Sequence, residues 1–303
     1  MPHEIQELMV HSLPGLENAV IHKYAYAIEY DAIYPTQLKF SLETKLIDGL
    51  FCAGQINGTS GYEEAAGQGL IAGINAGLKL EGCDPLILRR DESYIGVLID
   101  DLITKGIKDP YRLLTSRAEY RLLLRSDNAD LRLRKIGYEV GLISLEKYNN
   151  LLLKEKNIND ATLEFKSIRL TPKNNDFLKS LSTTLLKDGI SLYDLLKRPE
   201  VPVSSLTQFL NNKYDELVLE QVDINAKYEG YIKKELNEAL KLQSYEGKKI
   251  PNDIDYNKMH NLASEAKQKL SEVRPTTLGQ AMRISGVNPA DISILMMYLK
   301  RGV

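Results

Sequence analysis

A short apolar run, Leu50-Phe51-Cys52-Ala53, enters a turn rich in Gly, Asn and Thr, and the chain then opens a helix of small residues. The turn reads Gly54-Gln55-Ile56-Asn57-Gly58-Thr59-Ser60-Gly61, followed by Tyr62-Glu63-Glu64-Ala65-Ala66. The pattern predicts a strand over 50–54 and a helix over 62–79. Amides at such a strand-to-helix turn lack intrahelical partners, and the helix dipole adds partial positive charge there. That arrangement suits a phosphate or the electron-rich edge of a cofactor, with glycines allowing a close approach. Nothing else in the 303 residues completes such a site. Gly67, Gly69 and Gly73 follow a GxGxxxG spacing inside a helix already begun, and no GxGxxG turn or P-loop occurs. These glycines read as packing positions. With Ala65, Ala66, Ala72, Ala76 and Gly77 they imply close packing against a sheet or a ligand.

The chain is long enough for two or three domains. Hydrophobic residues at 43% and charged residues at 26% fit a soluble globular protein. No apolar run approaches the ~20 residues of a membrane span, and Met1-Pro2-His3-Glu4 does not resemble a signal peptide, so a cytoplasmic location is expected. Cys52 and Cys83 lack metal-ligand spacing, which leaves a zinc or disulfide framework unsupported; Cys52 reads as a buried, inert thiol. The net charge of −2 argues against indiscriminate polyanion binding. Residues 105–135, however, hold nine Lys/Arg against four Asp/Glu, a focused patch suited to one defined anionic partner.

The first fifty residues read as short strands (19–21, 24–28) and turns. Past Asp84-Pro85 amphipathic helices are expected, beginning with 94–105, whose Ile95, Leu98, Ile99 and Leu102 share a face and whose stop is Gly106. Further helices are expected from about 127 toward 141 and over 145–157, 191–196, 215–245, 256–271, 277–285 and 291–301. The softest joints are 171–176 and 247–253.

The basic segment begins at Pro110. If it is helical, Arg117, Arg121 and Arg125 form one stripe with Tyr120 alongside, which suits phosphates plus a stacked base. The other reading pairs Arg117 and Arg121 with Glu119, Asp127 or Asp130 inside the domain. Glu63-Glu64 reads as a complement to the helix dipole. Glu29 and Asp31 could face a ligand or belong to a turn network, and Asp100-Asp101 reads as a solvated edge. No catalytic triad or metal site can be argued.

Together these segments resemble one family. The turn 53–66 is similar to its flavin-contacting motif. Tyr94-Ile95-Gly96-Val97-Leu98-Ile99-Asp100-Asp101-Leu102-Ile103-Thr104-Lys105-Gly106 is similar to a second signature, and Pro110-Tyr111-Arg112 with Thr115-Ser116-Arg117-Ala118-Glu119-Tyr120-Arg121-Leu122 to a third. Asp127-Asn128-Ala129-Asp130-Leu131-Arg132-Leu133 and Leu278-Gly279-Gln280-Ala281-Met282-Arg283-Ile284-Ser285-Gly286-Val287 extend the likeness. The family is that of the tRNA uridine 5-carboxymethylaminomethyl modification flavoenzymes (MnmG, formerly glucose-inhibited division protein A). The resemblance runs the length of the chain.

The resemblance implies a mostly α-helical C-terminal domain preceded by the closing α/β piece of a truncated, glutathione-reductase-like FAD-binding domain. The corresponding divisions are 1–88, 89–235 and 236–303. Family members are about twice as long, and their GxGxxG turn and reactive cysteines are not present here; Cys52 stands at a usually apolar position and inherits no catalytic role. The complete enzyme modifies C5 of the tRNA wobble uridine with a GTPase partner (MnmE), using FAD, NADH and methylene-tetrahydrofolate, as a homodimer. The implied flavin contacts are Gln55 with Gly54, Asn57, Gly58, Thr59, Gly61, Tyr62 and Glu63. The implied tRNA contacts are Arg112, Arg117, Arg121 and Arg125. The C-terminal helices would dock the GTPase, although Ile292, Ile294, Leu295, Met296, Met297 and Leu299 also fit a bundle core. The alternative is a non-catalytic tRNA- and partner-binding module.

Overall fold

Stretches of good helix formers, several opened by a capping side chain, set the order of elements. The computed structural model describes residues 1–107, 109–251 and 253–301. In its first part α1 (His3–His11) and α2 (Tyr62–Leu80) flank irregular chain, and α3 (Tyr94–Lys105) follows. Ser93 caps α3 by accepting the Gly96 amide at 2.8 Å, and Gly106 ends it. Both α2 and α3 run as expected, α2 one residue longer.

The expected early strands do not form. Residues 19–28 carry no ladder, and 50–54 contributes a single antiparallel bridge, Phe51 to Glu43. A strand is stable only beside paired neighbours: residues 42–44 meet 50–52 at that one bridge, and 19–28 has no such neighbour among the described residues. The stretch 3–11 is helical instead: Glu, Gln, Leu and Met favour a helix, and Ile5, Leu8 and Met9 are left exposed.

The middle part is helical. It comprises α4 (Ala129–Glu139), α5 (Leu145–Ser167), a hairpin of β1 (Arg169–Leu170) and β2 (Ile190–Ser191) enclosing α6 (Asn175–Ser180), then α7 (Leu192–Leu196), α8 (Val203–Leu206) and α9 (Glu216–Lys227). Arg169 pairs with Ser191 and Leu170 with Ile190, antiparallel. Leu151, Ile158, Ala161 and Phe165 line one stripe of α5, and the last three meet Leu192, Leu195 and Val222 in one core. Helix α5 outruns its expected end because that stripe continues. The joint at 171–176 is ordered rather than soft, since Asn174 Oδ1 accepts the Thr171 amide at 3.0 Å before α6 begins.

The expected helix over 215–245 is two. Tyr228, at φ −104° and ψ 11°, separates α9 from α10 (Glu229–Glu246). The last part holds α11 (Ser264–Val273), α12 (Leu278–Arg283) and α13 (Pro289–Arg301). Its core joins Tyr256, Leu270, Leu278, Ala281, Ile292 and Leu295. Residues 256–258 form a separate 3₁₀ turn rather than the start of α11. Of the second expected joint, Asn252 lies outside the described residues; Ile250 donates its amide to the Thr276 carbonyl at 2.8 Å. The chain is thus mostly α-helical with a C-terminal helical bundle, and no helix among the described residues is long and apolar enough to cross a membrane.

Candidate functional site: the glycine turn and the charged junction beneath it

The turn begins as a 3₁₀ turn over Gly54–Asn57 and leaves it at Gly58, with φ +79° in the left-handed region. Its shape is held from below by Gln68, four residues after Glu64 on the buried face of α2 and 0% exposed. Gln68 Oε1 accepts the Gly54 amide at 3.1 Å and Asn57 Nδ2 at 2.8 Å. Gln68 Nε2 donates to Thr59 Oγ1 at 3.0 Å, and that hydroxyl donates to the Gly54 carbonyl at 3.0 Å. The side chains of Asn57 and Thr59 therefore build the turn from inside. The close approaches at Gly58 and Gly61 are to this chain's own side chains: a Cβ at Gly58 would lie 1.6 Å from Ile107 Cδ1, and one at Gly61 1.6 Å from Glu64 Oε2.

What the turn presents outward is Gln55, Ile56, Ser60, Glu63 and Tyr62, the last 87% exposed. Helix α2 has no side-chain cap at Gly61, so its dipole end is open beside them. Two buried oxygens there lack a hydrogen-bond partner, Asn57 Oδ1 and Glu64 Oε2. The uncapped amides and the exposed Gln55 side chain fit one polar edge of a flavin cofactor, whereas the two orphaned oxygens are enclosed beneath the turn and out of a ligand's reach. By contrast Gly69, Gly73 and Gly77 face open space, so the expected close packing of that face is not met within the described chain.

Glu64 does more than complement the dipole. Its Oε1 accepts the Leu113 amide at 2.8 Å and lies 3.4 Å from Arg112 Nε. The bond from the Leu113 amide holds its carboxyl below the usual carboxylate range, against the opposing effect of burial. Tyr111 donates its amide to the Gly58 carbonyl at 2.9 Å. With two of its amides bound to distant partners, the segment from Pro110 does not become a helix. It forms a single 3₁₀ turn over Thr115–Arg117, and the expected arginine stripe is absent.

The four arginines separate accordingly. Arg112, Arg117 and Arg121 are exposed. The Arg117 guanidinium stacks 4.3 Å above the Tyr111 ring, while its Nε donates to the Arg112 carbonyl at 2.7 Å. Arg125 is half-buried and pairs with Asp127 at 3.1 Å. Tyr120 is buried and unavailable for stacking on a base.

Asp100 and Asp101 are not a solvated edge. Both are buried around Arg90, itself only 4% exposed. Arg90 Nη1 lies 3.0 Å from Asp100 Oδ2 and 2.7 Å from Asp101 Oδ1, and its Nη2 reaches Glu119 at 2.8 Å. Asp100 also holds Arg283 of α12 at 2.6 Å. Asp101 accepts Lys105 at 2.6 Å and the Tyr111 hydroxyl at 2.9 Å. Burial and the Asp101 charge push the Tyr111 phenol well above its ordinary value. The junction thus ties the bundle to α3, and through Tyr111 to the turn. Sequence reasoning missed Arg90, which stands alone before α3 with no periodic signal. Gln68 did leave one: it is a polar residue on the same face as Ile71, Ala72 and Asn75.

Comparison with known proteins places these features in one lineage. The model of glucose inhibited division protein A matches residues 1–84. Those of the tRNA modifying enzyme MnmG/GidA C-terminal helical domain and C-terminal helical bundle match 146–236 and 238–303. The tRNA uridine 5-carboxymethylaminomethyl modification enzyme MnmG of Acholeplasma laidlawii is 57% identical over 99% of this chain and 49% of its own length. The same enzyme of Bacillus licheniformis is 56% identical over 100% and 49%. The solved structure of Aquifex aeolicus GidA (form II crystal) superposes with a TM-score of 0.82 at 47% identity, covering 98% of this chain and 48% of that one. The chain spans about half the length of the curated relatives it matches.

Proposed function

Since this chain belongs to the MnmG/GidA family, we propose that it supplies the flavin-contacting turn, the tRNA-facing surface and the partner-docking helices of an FAD-dependent enzyme. That enzyme adds a carboxymethylaminomethyl group to C5 of the tRNA wobble uridine. The observation that carries this reading is the outward face of the turn. Gln55 and the open end of α2 are presented on a framework fixed by Gln68, and the chain has no dinucleotide fingerprint of its own. The flavin, when bound, supplies two-electron redox chemistry. This chain's part is to hold it: Gln55 and the open amides at the start of α2 face its polar edge, while Gln68, which takes the Gly54 amide, and Asn57 and Thr59 keep them in place. NADH, methylene-tetrahydrofolate and the reactive cysteines belong to the complete enzyme.

The tRNA-facing part of the proposal narrows to Arg112, Arg117 and Arg121, because Arg125 is committed to Asp127. For the GTPase partner and for homodimer contacts, Ile292 and Leu295 are in the bundle core, so Met297 is the better candidate on α13. The division at 1–88, 89–235 and 236–303 belongs to the same proposal; separate cores around Phe165 and Tyr256 support its later parts, whereas the core around Leu38 takes in Ile99 and Ile103 of α3 across the first boundary. Dependence on a companion half is supported by apolar residues left bare in the first part, among them Leu46 and Leu80, the latter 90% exposed.

The test is to purify the chain with and without the preceding half of a close relative and record the flavin spectrum and tRNA modification. Flavin absorbance and activity are expected only with both halves, with Gln55→Ala lowering flavin occupancy. Stoichiometric flavin and activity in the chain alone overturn the dependence, and unchanged occupancy in Gln55→Ala overturns the turn's role. Binding to wobble-uridine tRNA should weaken with salt, and Arg117→Ala with Arg121→Ala should reduce the slope by about 1 to 2. Partner and tRNA binding without flavin in either preparation would leave the non-catalytic module as the reading.

A further inference from the structure

A cavity of about 510 Å³ lies away from the turn, between residues 38–51, the far end of α2 and the C-terminal bundle. Its lining shares no residue with 54–64. Phe40, Phe51 and Ile103 give it apolar walls, and the charges along it are unbalanced: Lys39, Lys45, Lys79 and Arg274 against Glu43. Glu43 is already occupied. It pairs with Lys39 at 2.8 Å and with Lys79, and accepts the Gly49 amide at 2.7 Å.

Lys45 and Arg274 are held differently. Lys45 Nζ donates to the Thr36 carbonyl at 2.8 Å and to the Val273 carbonyl at 2.9 Å, which brings it to the residue next to Arg274. Arg274 Nη1 donates to the Ile254 carbonyl at 2.9 Å, with the guanidinium 5.8 Å from the Tyr256 ring centroid. These carbonyls position the two cations, and the end of α11 offers at most a partial negative charge. No carboxylate pairs with either among the described residues. Both side chains are exposed, so water solvates them in part; the desolvation that Lys45 does undergo lowers its ammonium from its ordinary range.

The backbone carries a second sign. Leu42 (φ +67°), between the lining residues Ser41 and Glu43, and Arg274 (φ +53°) both occupy the left-handed region. Such conformations are strained in a residue with a Cβ, and persist where the surroundings over-determine them. Here they shape two walls of one cavity, contributed by the two ends of the chain.

We propose that this cavity binds a small organic anion with a flat apolar body, its anionic group between Lys45 and Arg274 and its body against Phe40 and Phe51. The volume falls in the range of small-ligand sites, which is about 300–1,000 Å³. A ligand there touches both the turn-bearing part and the bundle, so its binding stabilises their arrangement.

Titration calorimetry on the full chain with 2-naphthoate, and with neutral 2-naphthamide as its uncharged counterpart, tests this. The naphthoate should bind at least about tenfold more tightly. Lys45→Met and Arg274→Gly should each weaken naphthoate about fivefold or more and leave naphthamide unchanged. Glycine at 274 accepts the left-handed backbone, so that variant keeps its fold, which circular dichroism verifies. Cys83 borders the cavity and is exposed, so in a Cys52→Ala background naphthoate should slow its labelling by a maleimide. Equal affinities for the two probes, naphthoate binding indifferent to both substitutions, or no binding up to about 10 mM would each overturn the proposal.

Discussion

The glycine turn and the Arg90 junction are both buried polar networks, built from opposite materials. The turn is held by neutral amides and a hydroxyl, with Gln68 alone making bonds to Gly54, Asn57 and Thr59. The junction is held by charges, with Arg90 shared among Asp100, Asp101 and Glu119. A neutral network fixes a local shape at modest desolvation cost. A buried charge network gains little over well-packed apolar residues, yet loses much when one member is removed. The first therefore reads as a device for presenting a surface, and the second as a device for holding separate parts of the chain in one arrangement.

Removing the central cation is the most severe test of that contrast. Arg90→Met should cost about 3–5 kcal/mol, because three carboxylates lose their shared partner while only Asp100 keeps Arg283 and Asp101 keeps Lys105. Urea unfolding followed by circular dichroism measures it. A loss under about 1 kcal/mol would mean that the junction is not a buried network in solution. Hydrogen exchange at residues 264–283 should rise in parallel, since Arg283 carries the tie to the bundle.

Gln68→Leu keeps the side chain's bulk and removes the hub of the turn. The Gly54 amide is left without its acceptor, at a cost of about 2 kcal/mol. Exchange should accelerate over residues 54–61 and remain unchanged around Arg90. Equal acceleration in both places would show that the two networks form one cooperative unit.

These two hubs mark what could be read from the chain and what could not. Helix α3 was legible to the residue, because its apolar face and the Gly106 stop agree locally. Helix α2 was legible from its run of small residues and helix formers, although the strand expected before the turn does not form. The 110–125 segment was misread because its conformation is decided by Gly58 and Glu64, some fifty residues away, and helix periodicity carries no trace of such partners. Asp100-Asp101 looked like an exposed edge because a carboxylate pair carries no sign of the arginine it will meet. The arginines illustrate the limit on the site: exposure separates Arg121 from Arg125, and spacing could not.

Tyr111 joins the two networks, through its hydroxyl to Asp101 and its amide to Gly58. Tyr111→Phe removes only the first link and leaves the ring beneath Arg117. The loss should be about 1.5 kcal/mol, as for a hydrogen bond to a charged acceptor. Exchange at Gly54 should stay within about twofold of the parent, because the Gln68 framework is intact. A large change there would transfer control of the turn from Gln68 to the junction.

Glu64 is the one carboxylate in the turn's own framework, and it gives that region a pH dependence of its own. Its folded-state pKa is depressed, chiefly by the Leu113 amide. A depressed carboxyl contributes stability that is present above its unfolded value, near 4.5, and is lost as pH falls through the lower folded value. Glu64→Gln keeps an oxygen for the Leu113 amide and gives the orphaned Oε2 position a donor. At pH 7 its effect on stability should be within about 1 kcal/mol, the smallest of the four. Its signature lies in acid: the parent's exchange at Leu113 should accelerate as pH drops below 4.5, after correction for intrinsic exchange, while the variant's stays flat. A matching acid response in the variant would assign the titration to the Asp100–Asp101 junction, and would make charge, rather than neutral amides, the control of the turn's approach to Leu113.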